Sequence, residues 1–220
     1  MIRVVLLAIA LSLFTANKIN FTANVYAAEE KESVMSLTLE QKRRLIDIAK
    51  NTIEKYVTTK EVLQIQEQDS RLSAEEGAFV TIHKHGQLRG CIGNIVGRGP
   101  LYLLVRDMAI ASASEDPRFN PVATDEIKDL EIEVSVLSKP HLIKNVDEIQ
   151  LGVHGVIVHQ GPFNQGVFLP QVATETGWSR EEFLSQLCSQ KAGLPRDCWK
   201  DPRTKIEVFT AQVFSEKEIN

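Results

Sequence analysis

Residues 77–93 read GAFVTIHKHGQLRGCIG, and this stretch decides the fold. The apolar and β-branched residues at 77–83 predict a strand, and residues 88–92 predict a second strand that returns beside it. Residues 84–87 form the turn between them, where Gly86 is expected to have a positive φ angle. The stretch is therefore predicted to be an antiparallel hairpin, and the rest of the fold can be built outward from it.

A further strand with one wet face is predicted at residues 130–137 (LEIEVSVL). Apolar and polar residues alternate strictly along it, which places Glu131, Glu133 and Ser135 on the face opposite the apolar one. A strand that is buried on one side only is more typical of an antiparallel sheet than of a parallel one.

The other elements follow one another irregularly along the chain. Sequence patterns predict helices at residues 39–60, 101–114 and 180–192, and strands at residues 155–159, 166–169 and 205–214. The hairpins are local, and helices do not alternate regularly with strands. The sequence therefore predicts an α+β fold with a mostly antiparallel sheet flanked by helices, rather than a doubly wound parallel fold.

The composition is that of an ordinary soluble globular protein. Of the 220 residues, 43% are hydrophobic and 25% are charged, which suits one good-sized domain. The formal net charge of −4 arises from interspersed residues of both signs, without a basic stripe. The sequence therefore lacks the electrostatic footprint of a nucleic-acid-binding protein.

The N-terminal residues follow the pattern of a secretory signal peptide. Arg3 precedes an apolar run at residues 4–14 that is too short to span roughly 30 Å of hydrocarbon as a helix. Val25 and Ala27 are small residues of the kind that a signal peptidase accepts. We therefore expect a signal peptide at residues 1–27, a linker at residues 28–36 and one domain at residues 37–220. The protein is expected to be periplasmic or secreted, without a membrane span after cleavage; the alternative is an uncleaved N-terminal anchor.

The three cysteines are Cys91, Cys188 and Cys198. An odd number in an exported protein suggests one disulfide and one free thiol. Cys188 and Cys198 are the natural pair, because a Gly-Leu-Pro turn separates them. The alternative is that all three thiols are reduced and pack as small hydrophobic groups.

Chemistry is suggested most strongly by residues 88–93 (LRGCIG), in which Gly90 and Gly93 bracket Cys91. Glycines there let the backbone turn sharply or let another group approach closely. Arg89 is two residues before Cys91, so both side chains project from one face of a regular strand, and a guanidinium beside a thiol makes it more reactive. The alternative interpretation is a small buried cysteine in a tight hairpin.

Polar residues also gather after the second predicted helix, where Glu115, Asp116 and Arg118 surround Pro117. They could form a polar wall of a site, or only a helix end with a local ion pair.

His154 stands between two glycines at the start of a predicted strand, and could form a thiol–imidazole pair with Cys91 if the fold brought them together. Gln171 follows a proline and could line a pocket with Trp178. His83 and His85 lie beside a turn, where two histidines are usually only solvated, so no metal site is predicted.

A family resemblance rests on several of these motifs in order. Residues 77–93, 109–119 (AIASASEDPRF), 133–140 (EVSVLSKP), 154–158 and 169–199 resemble successive motifs of the AMMECR-type domain. The resemblance implies an α+β fold of two unequal lobes, and a site in the cleft near the cysteine motif. It does not supply a reaction, and it leaves the cofactor unknown.

The resemblance also transfers a set of candidate site residues by motif. These are Arg89, Gly90, Cys91, Gly93, Glu115, Asp116, Pro117, Arg118, His154 and Gln171. Prokaryotic members are often called AmmeMemoRadiSam system protein A, a name that implies Memo-like and radical-SAM companion proteins. The export signal of this chain is a departure from the family, and puts a cytoplasmic companion in doubt.

Two classes of function follow. In the first, Cys91 acts with His154 and Glu115 in an enzyme whose arginines hold a small anionic substrate. In the second, the domain is a non-catalytic binding or accessory module for the companion proteins.

Overall fold

A computed structural model describes residues 36–219. The predicted signal peptide lies outside these residues, as does all of the predicted linker except Ser36. The chain divides after Thr38, and the unit that begins at Leu39 carries the fold described below. Within the described residues, no helix combines the length and the apolar character needed to cross a membrane.

The helices and strands follow the predicted order closely. They are α1 (Leu39–Thr59), β1 (Gly77–Lys84), β2 (Gln87–Asn94), α2 (Leu101–Ser114), β3 (Leu130–Leu137), β4 (His141–Leu142), β5 (His154–Gln160), β6 (Asn164–Phe168), α3 (Pro170–Thr176), α4 (Arg180–Gln186), β7 (Lys205–Ser215) and α5 (Glu216–Ile219). Short 3₁₀ turns lie at Thr124–Asp129, Val146–Glu148 and Cys198–Lys200, and a π turn extends α4 at Leu187–Lys191.

The seven strands form one sheet in the order β2-β1-β3-β7-β5-β6, in which β4 also pairs with β7. Each pairing is antiparallel. The eleven-residue strand β7 joins two halves, because Ala211–Ser215 pair with β3 whereas Lys205–Thr210 pair with β5. The predicted α+β fold with an antiparallel sheet and flanking helices is confirmed, and its two lobes are two halves of a shared sheet.

One face of the first half is buried under the two long helices. The side chains that face α1 and α2 from β1 and β3 are almost fully buried: Ala78, Val80, Ile82, Ile132, Val134 and Val136. Leu45, Ile53 and Val105 cover them from the helices. Burial of each large aliphatic side chain stabilises the fold by roughly 1.5–3 kcal/mol, so this layer anchors the hairpin that carries Cys91.

The opposite face of the sheet is concave. Leu137, Ile157 and Phe209 are buried there, and they are packed against Ile95, which follows β2, and Val167, which lies in β6. Since β2 and β6 are the two ends of the sheet order, one shared cluster means that the sheet curls with this face inward.

The second half is closed by α3, α4 and the π turn, which cover the other face of β5 and β7 with a separate apolar core. A disulfide lies in this core and joins Cys188 to Cys198, whose Cα atoms are 6.0 Å apart. Cys91 is the free cysteine. The structure therefore contains the cysteine pair that the sequence favours.

We expect thiol counting under denaturing, non-reducing conditions to find one free thiol per chain, and none in Cys91→Ala. Replacing Cys188 and Cys198 together by alanine should lower the free energy of unfolding by about 2–3 kcal/mol, because the short cross-link restricts the unfolded chain. Urea titration measures this difference. Detection of three free thiols per chain would show that the disulfide is absent.

Candidate functional site

A polar row crosses four strands on the concave face. Cys91 of β2 lies opposite Thr81 of β1, Thr81 lies opposite Glu133 of β3, and Glu133 lies opposite Ser215 of β7. Residues directly opposite one another in a sheet project from the same face. The sheet therefore brings the thiol, a hydroxyl and a carboxyl into one line.

Polar side chains in this row, and Ser135 beside it, make few hydrogen bonds or ion pairs within the described residues. Thr81 Oγ1 donates a hydrogen bond to Cys91 Sγ at 3.4 Å, and the thiol is half-buried. Glu133 makes no ion pair within the described residues, and burial raises the pKa of its carboxyl, against an opposing effect of nearby His83. Ser135, the next residue of β3 on this face, is only 7% exposed, and its hydroxyl makes no hydrogen bond within the same part of the chain.

The backbone of Cys91 is held from the other side by an acid and a base. Asp116 accepts a hydrogen bond from the Cys91 N–H at 2.8 Å, and Arg118 Nη2 donates to the Cys91 carbonyl at 3.2 Å. Arg118 Nη2 also donates to Asp116 at 2.7 Å. Because β2 is an edge strand, alternate peptide groups face away from β1 and need such partners. The pair therefore completes the edge strand at Cys91.

The Asp116 carboxyl is buried yet ionised. The hydrogen bonds from Arg118, reinforced by the Cys91 N–H, hold the pKa of this carboxyl far below its usual range, although burial acts against them. The acid and base after α2 are thus a structural clasp on the cysteine motif.

Both glycines of the motif are required by close contacts. A Cβ atom on Gly90 would lie 2.2 Å from the backbone oxygen of Ser112 in α2, and one on Gly93 would lie 2.2 Å from the Phe79 ring. The Ser112 hydroxyl accepts from the Ile92 N–H and donates to the Val80 carbonyl. Helix α2 can approach the hairpin this closely only where a side chain is missing.

Arg89 occupies a different position from the one that a regular strand predicts. The register shifts here, because Ile82 pairs with Gly90 while His83 pairs with Leu88, so Arg89 is an extra residue of a bulge. Its guanidinium donates to the Glu126 carboxylate at 2.8 Å, and to two backbone carbonyls: those of Asn120 and Pro121. The guanidinium thus holds the connection from α2 to β3.

The remaining candidates are dispersed. His154 lies in β5, with three strands between it and the strand of Cys91, and its Nδ1 accepts from the Gln150 N–H at 3.2 Å. Burial, with a smaller effect of His141, lowers the pKa of His154. Glu115 is exposed at the end of α2.

Gln171 lies in the first turn of α3, in the second half of the molecule, with a buried side-chain oxygen that lacks a partner in the described residues. The structure therefore gathers Gly90, Cys91, Gly93, Asp116 and Arg118, and leaves His154 and Gln171 elsewhere. Residues 36–219 contain no group of three or more histidine, cysteine or acidic side chains arranged for a metal ion.

Three residues of the concave face were not singled out as site residues in the sequence: Thr81, Glu133 and Ser135. The alternation of residues 130–137 places Glu133 and Ser135 on one face, but it does not tell which strand lies beside them. The alternation in the sequence indicates that Glu133 and Ser135 share a face of their strand. Only the register of the strands shows that Cys91 lies on that same face of the sheet.

We expect Asp116→Asn to lower the free energy of unfolding by about 2–3 kcal/mol, less than the ~3–5 of a fully buried pair because the Arg118 side chain is 52% exposed. Since the folded-state pKa of Asp116 is depressed, its contribution is complete above the unfolded pKa and is lost as the pH falls below about 4. Urea titrations at neutral and acid pH measure this. Glu115→Gln, at the adjacent exposed acid, is the control and should change little. Equal effects of the two substitutions would contradict the clasp.

A family model and individual relatives both assign the chain to the family that its motifs resemble. The family model described as AMMECR1 matches residues 46–214. Protein TK0174 of Thermococcus kodakarensis is 41% identical over 184 residues, which cover 79% of this chain and 89% of that protein. A protein of Methanothermobacter thermautotrophicus is 41% identical over 187 residues, or 82% of this chain and 96% of the other.

A solved structure extends the comparison to the fold. The crystal structure of an uncharacterized protein from Pyrococcus horikoshii, PH0010, has a TM-score of 0.71 and 40% sequence identity, and covers 79% of this chain and 90% of that one. The resemblance read from the sequence motifs is confirmed by the family match and by these relatives. The chain therefore belongs to the AMMECR1 family and shares the fold of that crystal structure.

Proposed function

We propose that this protein is exported and binds a small polar molecule on the concave face of its sheet, with Cys91 as the reactive group. The observation that carries the proposal is the Cys91 thiol on the inward face of a curled sheet, in a row with Thr81 and Glu133 and near Ser135, where the described residues supply no partner for Glu133 or Ser135. Buried polar groups are normally hydrogen-bonded, so unpartnered ones on a concave surface point to a ligand.

The chemistry of Cys91 is supported by its hydroxyl neighbour rather than by an imidazole. The hydrogen bond from Thr81 holds the Cys91 sulfur in position, and a cysteine reacts as the thiolate. Asp116 and Arg118 fix the peptide on which the thiol stands. The proposed reaction class is addition of this thiolate to a carbonyl carbon of the bound molecule: the C–S bond forms as the carbonyl π bond breaks, and the carbonyl oxygen takes up the proton that the thiol released.

An anionic substrate is not favoured by these contacts. Arg89 is paired with Glu126, and Arg118 with Asp116, so each guanidinium already has a carboxylate partner. On the concave face of the first half, the carboxyl of Glu133 has no ion-pair partner within the described residues.

Export is supported by two independent features. The N-terminal sequence has the signal pattern, and the disulfide between Cys188 and Cys198 is of the kind that persists in oxidising compartments. An exported protein would be separated from cytoplasmic Memo-like and radical-SAM proteins. The accessory-module function thus ranks behind the ligand-binding one for this chain.

We expect Cys91 in the native protein to be alkylated by iodoacetamide, and Thr81→Val to slow this reaction several-fold. The valine has the shape of threonine but cannot donate a hydrogen bond of about 1 kcal/mol to the sulfur. Thr81→Ser retains the hydroxyl and should react at close to the wild-type rate. The rate is followed by mass spectrometry of the peptide that contains Cys91.

Arg89→Ala completes the test, because its guanidinium is bound elsewhere and its removal should affect stability more than the alkylation rate. A Cys91 that resists alkylation in the native protein, with no response to Thr81→Val, would end the reactive-thiol proposal. The accessory module would then be the better description.

We expect natively expressed protein to be recovered outside the cytoplasm with Ala28 as its first residue, because the small residues at positions 25 and 27 suit signal peptidase. Mass spectrometry of the intact protein from each cell fraction measures this. An intact Met1 terminus in the cytoplasm would refute export.

A further inference from the structure

We propose that the molecule bound on the concave face carries a primary ammonium group, held by the carboxylate of Glu133 and the hydroxyl oxygens of Ser135 and Thr81. The inference rests on the proposed function, because it names the class of ligand for the same site.

The spacing of the three oxygens follows from the strand register. Thr81 and Glu133 are directly opposite, so their Cβ atoms lie about 4.5–5.5 Å apart. Ser135 is the next residue of β3 on this face, about 7 Å along the strand from Glu133. Three side chains so placed can converge on one nitrogen atom between them.

The hydrogen-bonding capacity of these groups matches an ammonium. The Thr81 proton is directed to Cys91 Sγ, so the Thr81 oxygen is left as an acceptor. Ser135 is more than nine-tenths buried without a hydrogen-bond partner in the described residues, and Glu133 has no cationic partner there. A primary ammonium offers three donors and no acceptor, whereas an alcohol offers one donor and a carboxylate none.

The surrounding charges also favour a cation. Glu133 has Thr81 of β1 directly opposite it and Cys91 of β2 beyond Thr81, while His83 of β1 and Glu218 of α5 are near enough to act on its charge, Glu218 by repulsion. Its neighbour Glu131 is already paired with Lys217. A half-buried carboxylate without a cation is costly, and burial raises the pKa of Glu133 accordingly. A bound ammonium supplies the missing positive charge.

Apolar side chains lie beside the three oxygens, where a ligand's apolar chain would contact them. Phe79 and Val213 lie directly opposite Ser135 on its two sides, and Val213 is 39% exposed. An aromatic face beside a cation adds a cation–π attraction. Because Thr81 contacts both the ammonium and the Cys91 sulfur, a bound amine lies next to the thiol and shields it.

The test uses n-butylammonium chloride as the probe and the full mature protein near neutral pH. We expect n-butylammonium to slow iodoacetamide alkylation of Cys91, with n-butanol and butyrate much weaker at the same concentration. Tetramethylammonium, which has the charge but no N–H donor, should protect less than n-butylammonium. Alkylation of glutathione in the same solutions corrects for any direct effect on the reagent.

Binding is measured separately by calorimetry or by NMR titration, so that it does not depend on thiol reactivity. Glu133→Gln should weaken n-butylammonium binding by at least about tenfold, because a charge-assisted hydrogen bond is lost, and Ser135→Ala by about threefold or more. Glu131→Gln is the matched control: it removes a carboxylate from the same strand face, but one already paired, and should leave the affinity unchanged.

The variants also distinguish a ligand site from a structural role. Residues 36–219 supply no hydrogen-bond or ion-pair partner for the side chains of Glu133 and Ser135, so we expect neither substitution to lower the free energy of unfolding. Because the pKa of Glu133 is raised, amine binding should weaken as the pH falls through that pKa and the carboxyl becomes neutral.

Each outcome decides between the two proposals. Equal binding of butyrate and n-butylammonium, or an unchanged affinity in Glu133→Gln, would overturn the ammonium assignment while leaving a reactive Cys91 in place. An unreactive Cys91 in a protein that still binds n-butylammonium would overturn the catalytic role of the thiol and leave the ligand class standing.

Discussion

Helix α2 lies so close to the edge strand β2 that no side chain fits between Gly90 and the backbone of Ser112. This close contact lets the Ser112 hydroxyl bind both strands of the hairpin. It also brings the end of α2 to the outer edge of β2, where Asp116 and Arg118 can reach the peptide of Cys91. The position of the cysteine therefore depends on the absence of a Cβ atom one residue before it.

The charged side chains near Cys91 fall into two groups, according to whether each has a partner of opposite charge. Buried or half-buried charges are tolerated when they are paired, and the motif's arginines satisfy two carboxylates: Glu126 and Asp116. The Arg89–Glu126 pair holds a loop against the hairpin, and the Asp116–Arg118 pair holds the peptide of Cys91. Glu133 on the concave face lacks such a partner within the described residues, and this contrast marks it as a group for recognition rather than for folding.

Strand β7 contributes to both the polar part and the apolar part of the concave face. Its C-terminal half borders β3 and the polar row, while its N-terminal half contributes Phe209 to the apolar cluster. A ligand on this face would meet polar groups at one end and an apolar floor at the other. The disulfide lies in the core on the other side of the second half, so it can stabilise that half without contributing to the site.

The sequence by itself determined most of the helices and strands, the fold class and the hairpin around LRGCIG, and it indicated which two cysteines would pair if a disulfide formed. Hydrophobic periodicity, helix caps and turn residues depend on positions close together in the chain, so they can be recognised from the sequence alone. It could not determine the bulge at Arg89, which removes this residue from the regular alternation that places it beside the thiol. It also could not show that three strands separate the strand of His154 from that of Cys91, or that Thr81, Glu133 and Ser135 lie on the same face of the sheet as the thiol. These relations depend on strand order and register. Both are fixed only when segments distant in sequence pack together, because the register decides which side chains are buried.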